Sequence, residues 1–125
     1  MTPEYFYDIE QGQPEWFQIR SGIPTASMFK AVRAKGKGAD PSKTRRKYML
    51  QLIGERLTGQ PAETYSNAHM ERGQIMESEA RQLYELVKDV SVEQVGFIRL
   101  GDCGASPDGL VGADGLLELK SKLPH

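Results

Sequence analysis

"GASPDGLVGADGLLELKSK", residues 104–122, places Asp108, Glu118 and Lys120 in a ribbon of glycines and aliphatic residues. "SPDG" has the chemistry of a β-turn, with proline presetting one φ, aspartate tolerating the bridge region and glycine free at the end. In the strand predicted for "LLELKSK" side chains alternate, so Leu117 and Leu119 face one side while Glu118 and Lys120 share the other. The ten-residue step from Asp108 to Glu118 suits two neighbouring antiparallel strands joined through "GADG". The two carboxylates then meet across the ladder. Acids so placed repel, and a buried pair takes up a proton or binds a cation. Mg²⁺, which prefers oxygen ligands and keeps several waters, relieves that repulsion and holds a phosphate as well. Lys120, on the same face, is placed to orient or deprotonate an attacking water. Metal, carboxylates and lysine together point to phosphodiester hydrolysis.

Outward from the ribbon, helical patterns precede the β pattern. "QPEWFQIRSGIPTASMFKAVRA" reads as a short helix holding Trp16, Phe17 and Ile19, stopped by Gly22 and Pro24, then a second helix capped by Thr25 or Ser27. "KGKGADPSK" is a connector. Ser42 caps a helix to about Thr58, in which Tyr48, Met49, Leu52, Ile53 and Leu57 form one stripe directed at the core, with Gly59 and Pro61 as the stop. From about Ala68 to Lys88 a further stripe carries Met76, Ala80, Leu83, Tyr84 and Val87, and Glu77 falls at its edge, about 20° from Tyr84. "VSVEQVGFIRL" and the segments after it read as strands separated by "GDCG" and "GADG" turns. Helices followed by an antiparallel meander make the class α+β.

With 125 residues, the chain is expected to form a single domain spanning 1–125. Cys103 is the one cysteine, so no internal disulfide or cysteine-based zinc cluster forms, and a reducing compartment, the cytoplasm, is expected. No apolar run approaches the roughly 20 residues that cross a bilayer, and residues 1–13 lack the pattern of a signal peptide. Net charge is -1, but its distribution is two-sided. Eight basic residues against one acid lie between Lys30 and Lys47, whereas residues 63–93 hold seven acids and three Lys or Arg. The basic stretch fits a solvated helix face with a loop, or a phosphate-binding patch.

Four segments taken in order resemble a known family. "SPDG" followed by "LELK" resembles the PD-(D/E)xK nuclease signature. "PEWFQIRSGIPTAS" and "ERGQIMESEAR" resemble the corresponding segments of the phage λ exonuclease and YqaJ-type viral recombinase family, in the same order and at similar separations. The resemblance covers nearly the whole chain and implies a restriction-endonuclease-like core. It implies Asp108 and Glu118 as the principal metal ligands, the Leu119 carbonyl as a third oxygen, Glu77 as a helix-borne acid beside the metal, and Lys120 as the catalytic lysine. Arg20, Ser27 and Ser106 fall where the family binds the 5′-terminal phosphate, a task that suits a forked guanidinium beside hydroxyls. Met70 falls where the family places an apolar wedge that splits the terminal base pair. Trp16 aligns with a family tryptophan, yet as the single tryptophan it is expected to anchor the core. His69 and His125 have no partners at ligand spacing.

The activity this implies is that of a Mg²⁺-dependent exonuclease. It would degrade linear double-stranded DNA 5′ to 3′ from a phosphorylated end and leave 3′ overhangs for phage-type recombination in a bacterial cytoplasm. Mn²⁺ suits the same oxygens. The resemblance further implies a ring-shaped homotrimer around DNA and a single-strand annealing protein as companion. Family members continue past the lysine with further strands and helices, so the chain is expected to be C-terminally truncated relative to them, with weak or no catalysis if that part is truly absent. Two readings stand beside this one: a restriction-like or nicking endonuclease of the same fold, and a non-catalytic DNA-binding or partner-binding remnant that works through the basic 30–47 segment.

Overall fold

The computed structural model describes residues 2–36, 42–62 and 68–120, the side chains of 68–73 excepted. Strand β1 spans Glu4–Phe6, and helix α1 spans Pro14–Arg20. Pro14 stands in the first turn of α1, where a missing N–H leaves no bond unmade. A 3₁₀ turn over Ala26–Met28, entered from Thr25, leads into the short helix α2, Phe29–Val32. Helix α3, Lys43–Thr58, begins on Ser42, whose hydroxyl accepts the Arg45 amide at 3.3 Å. It stops at Gly59, where φ of 70° suits a residue without Cβ. Helix α4 runs over Ala68–Lys88. Helices α1, α3 and α4 agree with the patterns in the sequence, whereas the second helix is shorter than expected and starts from Met28, with no side-chain cap from Thr25 or Ser27.

The strands after α4 do not form the single meander expected. They are β2 (Val92–Glu93), β3 (Phe97–Leu100), β4 (Cys103–Ala105), β5 (Gly109–Val111) and β6 (Gly115–Leu117). One antiparallel sheet has the order β1-β3-β4 and a second the order β2-β5-β6. The chain changes sheets at Val95 and Gly96. Val95 is buried, and the Gly96 amide donates to the Phe6 carbonyl at 2.9 Å. A Cβ on Gly96 would overlap the Ile9 carbonyl, so the N-terminal segment lies against bare backbone there. That segment, including β1, carries no strand signal long enough to read. "LLELKSK" is also shorter as a strand than expected: β6 ends at Leu117, and 118–120 continue outside the ladder.

Phe97, wholly buried, centres the core, with the Phe6 ring 6.3 Å away and Gly104 against its ring tip. Ile23, Ala31, Tyr48, Val95 and Leu117 are buried as well. The α3 stripe packs along one edge only. Tyr48 and Glu55, seven residues apart and so on one face, are buried, whereas Met49, Ile53 and Leu57 are exposed. Glu55 takes a core position because its carboxylate accepts two loop amides, Gly22 at 3.1 Å and Ala62 at 2.9 Å. Buried backbone donors need such partners. On α4, Met76, Ala80 and Tyr84 are half-buried while Leu83 and Val87 are exposed. No helix among the described residues is long and apolar enough to cross a membrane.

Candidate active site

The β5–β6 register pairs Gly109 with Leu117, which sets Asp108 and Glu118 side by side at the end of the ladder. Two hydrogen bonds fix this end. The Asp108 amide donates to the Leu117 carbonyl at 3.0 Å, and the Leu119 amide donates to Asp108 Oδ2 at 2.6 Å. The Glu118 carboxyl lies within hydrogen-bonding reach of Asp108, and Glu77 reaches Asp108 from α4. Asp108 is thus shared by two acids that feel each other through charge alone. They do not close into a three-acid metal cage among the described residues. What the group offers is Asp108 paired with one neighbour or the other, a donor set suited to a hard cation that keeps part of its hydration shell.

Electrostatics report the crowding. Burial first, and then the negative charge of Asp108, raises the Glu77 carboxyl to about 7, against the lowering pull of Arg81. Glu118 is also raised, by partial desolvation of its carboxyl and then by Asp108, with the Lys120 ammonium opposing. Lys120 is exposed, yet its charge acts on Glu118, so acid and lysine stand close although both lie past the end of β6.

Arg81 holds the acids together, and it is absent from the set read from sequence. Only 8% exposed, it donates to Glu77 Oε1 at 2.7 Å, and its Nε and Nη2 donate to the Asp108 carbonyl at 3.2 and 3.1 Å. Its place four residues after Glu77, within "ERGQIMESEAR", is the spacing that lets an arginine meet an acid on one helix face. Gln11 was missed as well. Its amide donates to the Val95 and Pro107 carbonyls, both at 3.0 Å, tying the N-terminal segment to the ribbon across a separation no local pattern reveals.

A second cluster lies beyond α1. Arg20 Nη2 donates to Thr25 Oγ1 at 3.3 Å and Ser27 Oγ at 3.1 Å, and the two hydroxyls are 3.1 Å apart. Arg20 and Ser27 are therefore brought together as expected, joined by Thr25. Ser106 meets this cluster through Trp16: the indole Nε1–H donates to Ser106 Oγ at 3.1 Å, and the Arg20 guanidinium lies 4.0 Å from the ring centroid. Trp16 is half-buried rather than a core anchor. It borders both a cavity of about 340 Å³ lined by Arg20, Thr25 and Ser27 and a cleft of about 670 Å³ lined by Glu77, Arg81, Asp108, Leu119 and Lys120. The Met70 side chain lies outside the described residues.

A helix-borne acid facing an Asp-turn-Glu-x-Lys ribbon, on an α+β frame, defines the PD-(D/E)xK nuclease class of fold. Residues 15–124 match the YqaJ-like viral recombinase domain, and the chain belongs to that family. Among solved structures it is similar to an alkaline exonuclease, LHK-Exo, from Laribacter hongkongensis. The identity is 41% and the TM-score 0.69, over 83% of this chain and 50% of that one. The structure of LHK-Exo in complex with dAMP gives 42% and 0.69, over 83% of this chain and 51% of that one. The chain thus spans about half the length of these relatives. No curated protein matches it.

The Glu77 shift has a consequence for stability. Its folded-state pKa of about 7 lies above its ordinary 4.5, so between those values the folded chain holds a proton that the unfolded chain releases. This contribution is complete below pH about 4.5 and is lost as pH rises through 7. The carboxyl is 26% exposed, and after discounting for solvent the loss is on the order of 1 kcal/mol, or about 4 °C in Tm. In EDTA, Tm measured from pH 5 to 8 is expected to fall more steeply for wild type than for Glu77→Gln; parallel slopes would contradict the assignment.

Proposed function

We propose that this chain carries the cutting site of a Mg²⁺-dependent exonuclease, with Mn²⁺ as a substitute. It degrades one strand of linear duplex DNA from a 5′-phosphorylated end and leaves a 3′ single-stranded overhang for recombination in a bacterial cytoplasm. The observation that carries this reading is the convergence of Glu77 and Glu118 on Asp108, beside Lys120. The two alkaline exonuclease structures and the family support a nuclease role in recombination.

Asp108 and Glu118 would hold the metal with the Leu119 carbonyl and Glu77 beside them; the residues fit because crowded carboxylates whose charged forms are disfavoured gain most from a cation. Bound there, the metal supplies charge neutralisation on the phosphodiester and acidifies water. Asp108 is held from two sides, through its carbonyl by Arg81 and its carboxylate by the Leu119 amide, so it is oriented before substrate arrives. Lys120 orients the attacking water. As the water oxygen bonds to phosphorus, the bond to the leaving 3′ oxygen breaks, a proton passes to that oxygen, and a 5′-mononucleotide departs. Arg20, Ser27 and Ser106 take the terminal phosphate, and Met70 is assigned to the terminal base pair. Assembly as a homotrimer and a strand-annealing companion belong to the same proposal.

Incubating end-labelled duplex with Mg²⁺ and with EDTA tests the reading: mononucleotides released only with Mg²⁺ are expected, and release in EDTA would remove the metal site from consideration. Arg20→Ala separates end capture from nicking. It is expected to raise KM for phosphorylated ends about 10- to 100-fold, the scale of a lost charged hydrogen-bond set. If phosphorylated and unphosphorylated ends are cut alike by wild type and variant, an endonuclease of the same fold is favoured.

A further inference from the structure

We infer that Trp16 is a positioning residue that ties the pocket for a 5′-terminal phosphate to the cutting ribbon; this rests on the reading just proposed. Its three polar contacts point in two directions. The indole N–H donates to the Gly96 carbonyl at 3.0 Å and to Ser106 Oγ at 3.1 Å, and Ser106 stands two residues before Asp108. The ring face lies 4.0 Å from the Arg20 guanidinium carbon, and Arg20 in turn donates to Thr25 and Ser27. One rigid, planar side chain therefore spans from the cation of the pocket to the turn that carries the central carboxylate.

Each contact has a chemical consequence. A guanidinium lying over an aromatic face keeps its charge while its orientation is fixed, so its N–H edge stays turned toward the Thr25 and Ser27 hydroxyls. Ser106 Oγ, by accepting from the indole, directs its own proton away from Trp16 and is left able to donate to another acceptor. The same N–H grips Gly96, the residue at which the chain crosses from one sheet to the other. Trp16 also sits edge-on to Phe17, 5.0 Å between centroids, so its ring cannot turn without moving its neighbour. The separation between a captured phosphate and Asp108 is accordingly set by one side chain. Trp16 borders both cavities.

Trp16 is the single tryptophan, so it reports on itself. In metal-free buffer, a duplex hairpin with a 5′-phosphate is expected to change its emission saturably, and the same hairpin with a 5′-hydroxyl to need about tenfold higher concentration. Arg20→Ala and Ser106→Ala keep the indole but remove its contacts, and each is expected to cut the phosphate-dependent change at least about threefold. In cleavage, Trp16→Phe keeps a ring under Arg20 but loses the N–H. It should lower the ratio of rates on phosphorylated over hydroxyl ends about fivefold, through kcat rather than KM. Emission indifferent to the phosphate overturns the inference, as does a Trp16→Phe enzyme that slows equally on both ends with a lowered Tm, which is the mark of a purely structural role. If wild type cuts neither end, the proposed activity fails and the emission titration alone decides Trp16. If wild type discriminates between ends and Trp16→Phe discriminates as well, only the role of Trp16 is lost. Should Trp16→Phe not fold, Ser106→Ala carries the cleavage comparison.

Discussion

Asp108→Asn should lower cleavage of a phosphorylated duplex end by about a thousandfold or more, the size of losing several kcal/mol of charge stabilisation at phosphorus. Asparagine keeps an oxygen to accept the Leu119 amide and leaves the backbone carbonyl that Arg81 grips, so the ribbon should hold its shape. What disappears is the negative charge that both flanking acids share. Glu77 and Glu118 are pushed upward in part by that charge, and in the variant each should ionise at lower pH. Two measurements check the claim together: release of labelled mononucleotide under single-turnover conditions, and Mg²⁺ binding by titration calorimetry. A variant with unaltered circular dichroism but neither cleavage nor Mg²⁺ binding fits the assignment. A variant that cuts within tenfold of wild type places the chemistry elsewhere.

Lys120→Met should leave Mg²⁺ binding and KM within about twofold while kcat falls about 10²- to 10³-fold, the range for a positioned proton-transfer group. Lys120 is exposed and lies just past the end of β6, so its removal should alter stability by no more than about 0.5 kcal/mol. That contrast separates the lysine from the acids, because truncating either acid disturbs the shared arrangement around Asp108. A kcat unchanged by Lys120→Met would assign the water to another group in the same cleft.

The local parts of this site could be read from the chain because they depend on short-range geometry. Asp108 and Glu118 meet because a glycine turn fixes the β5–β6 register that ends beside them, and Glu77 meets Asp108 because helical periodicity set it at the edge of a half-buried face. The site's supports depended on contacts between distant segments. Gln11 bonds across 84 and 96 residues, and β1 is only three residues long, so neither leaves a periodic trace. Arg81 did carry a signal, its spacing from Glu77, but a salt-bridged arginine on a helix reads as surface until its burial is known. Trp16 misleads for the opposite reason: a lone tryptophan implies core, whereas its N–H and its face serve different partners. The α3 stripe overstated the core because apolar spacing identifies a face without identifying what covers it, and Glu55 displaced an aliphatic where two loop amides required an acceptor.

Arg81 grips the aspartate through its main chain, and any residue at that position presents the same carbonyl. Scaffold and reactivity are therefore separable by a single codon. If the proposed function holds, a copy that had lost its acid would still seat a DNA terminus and shield it as an inert cap, competing with active copies for every broken end.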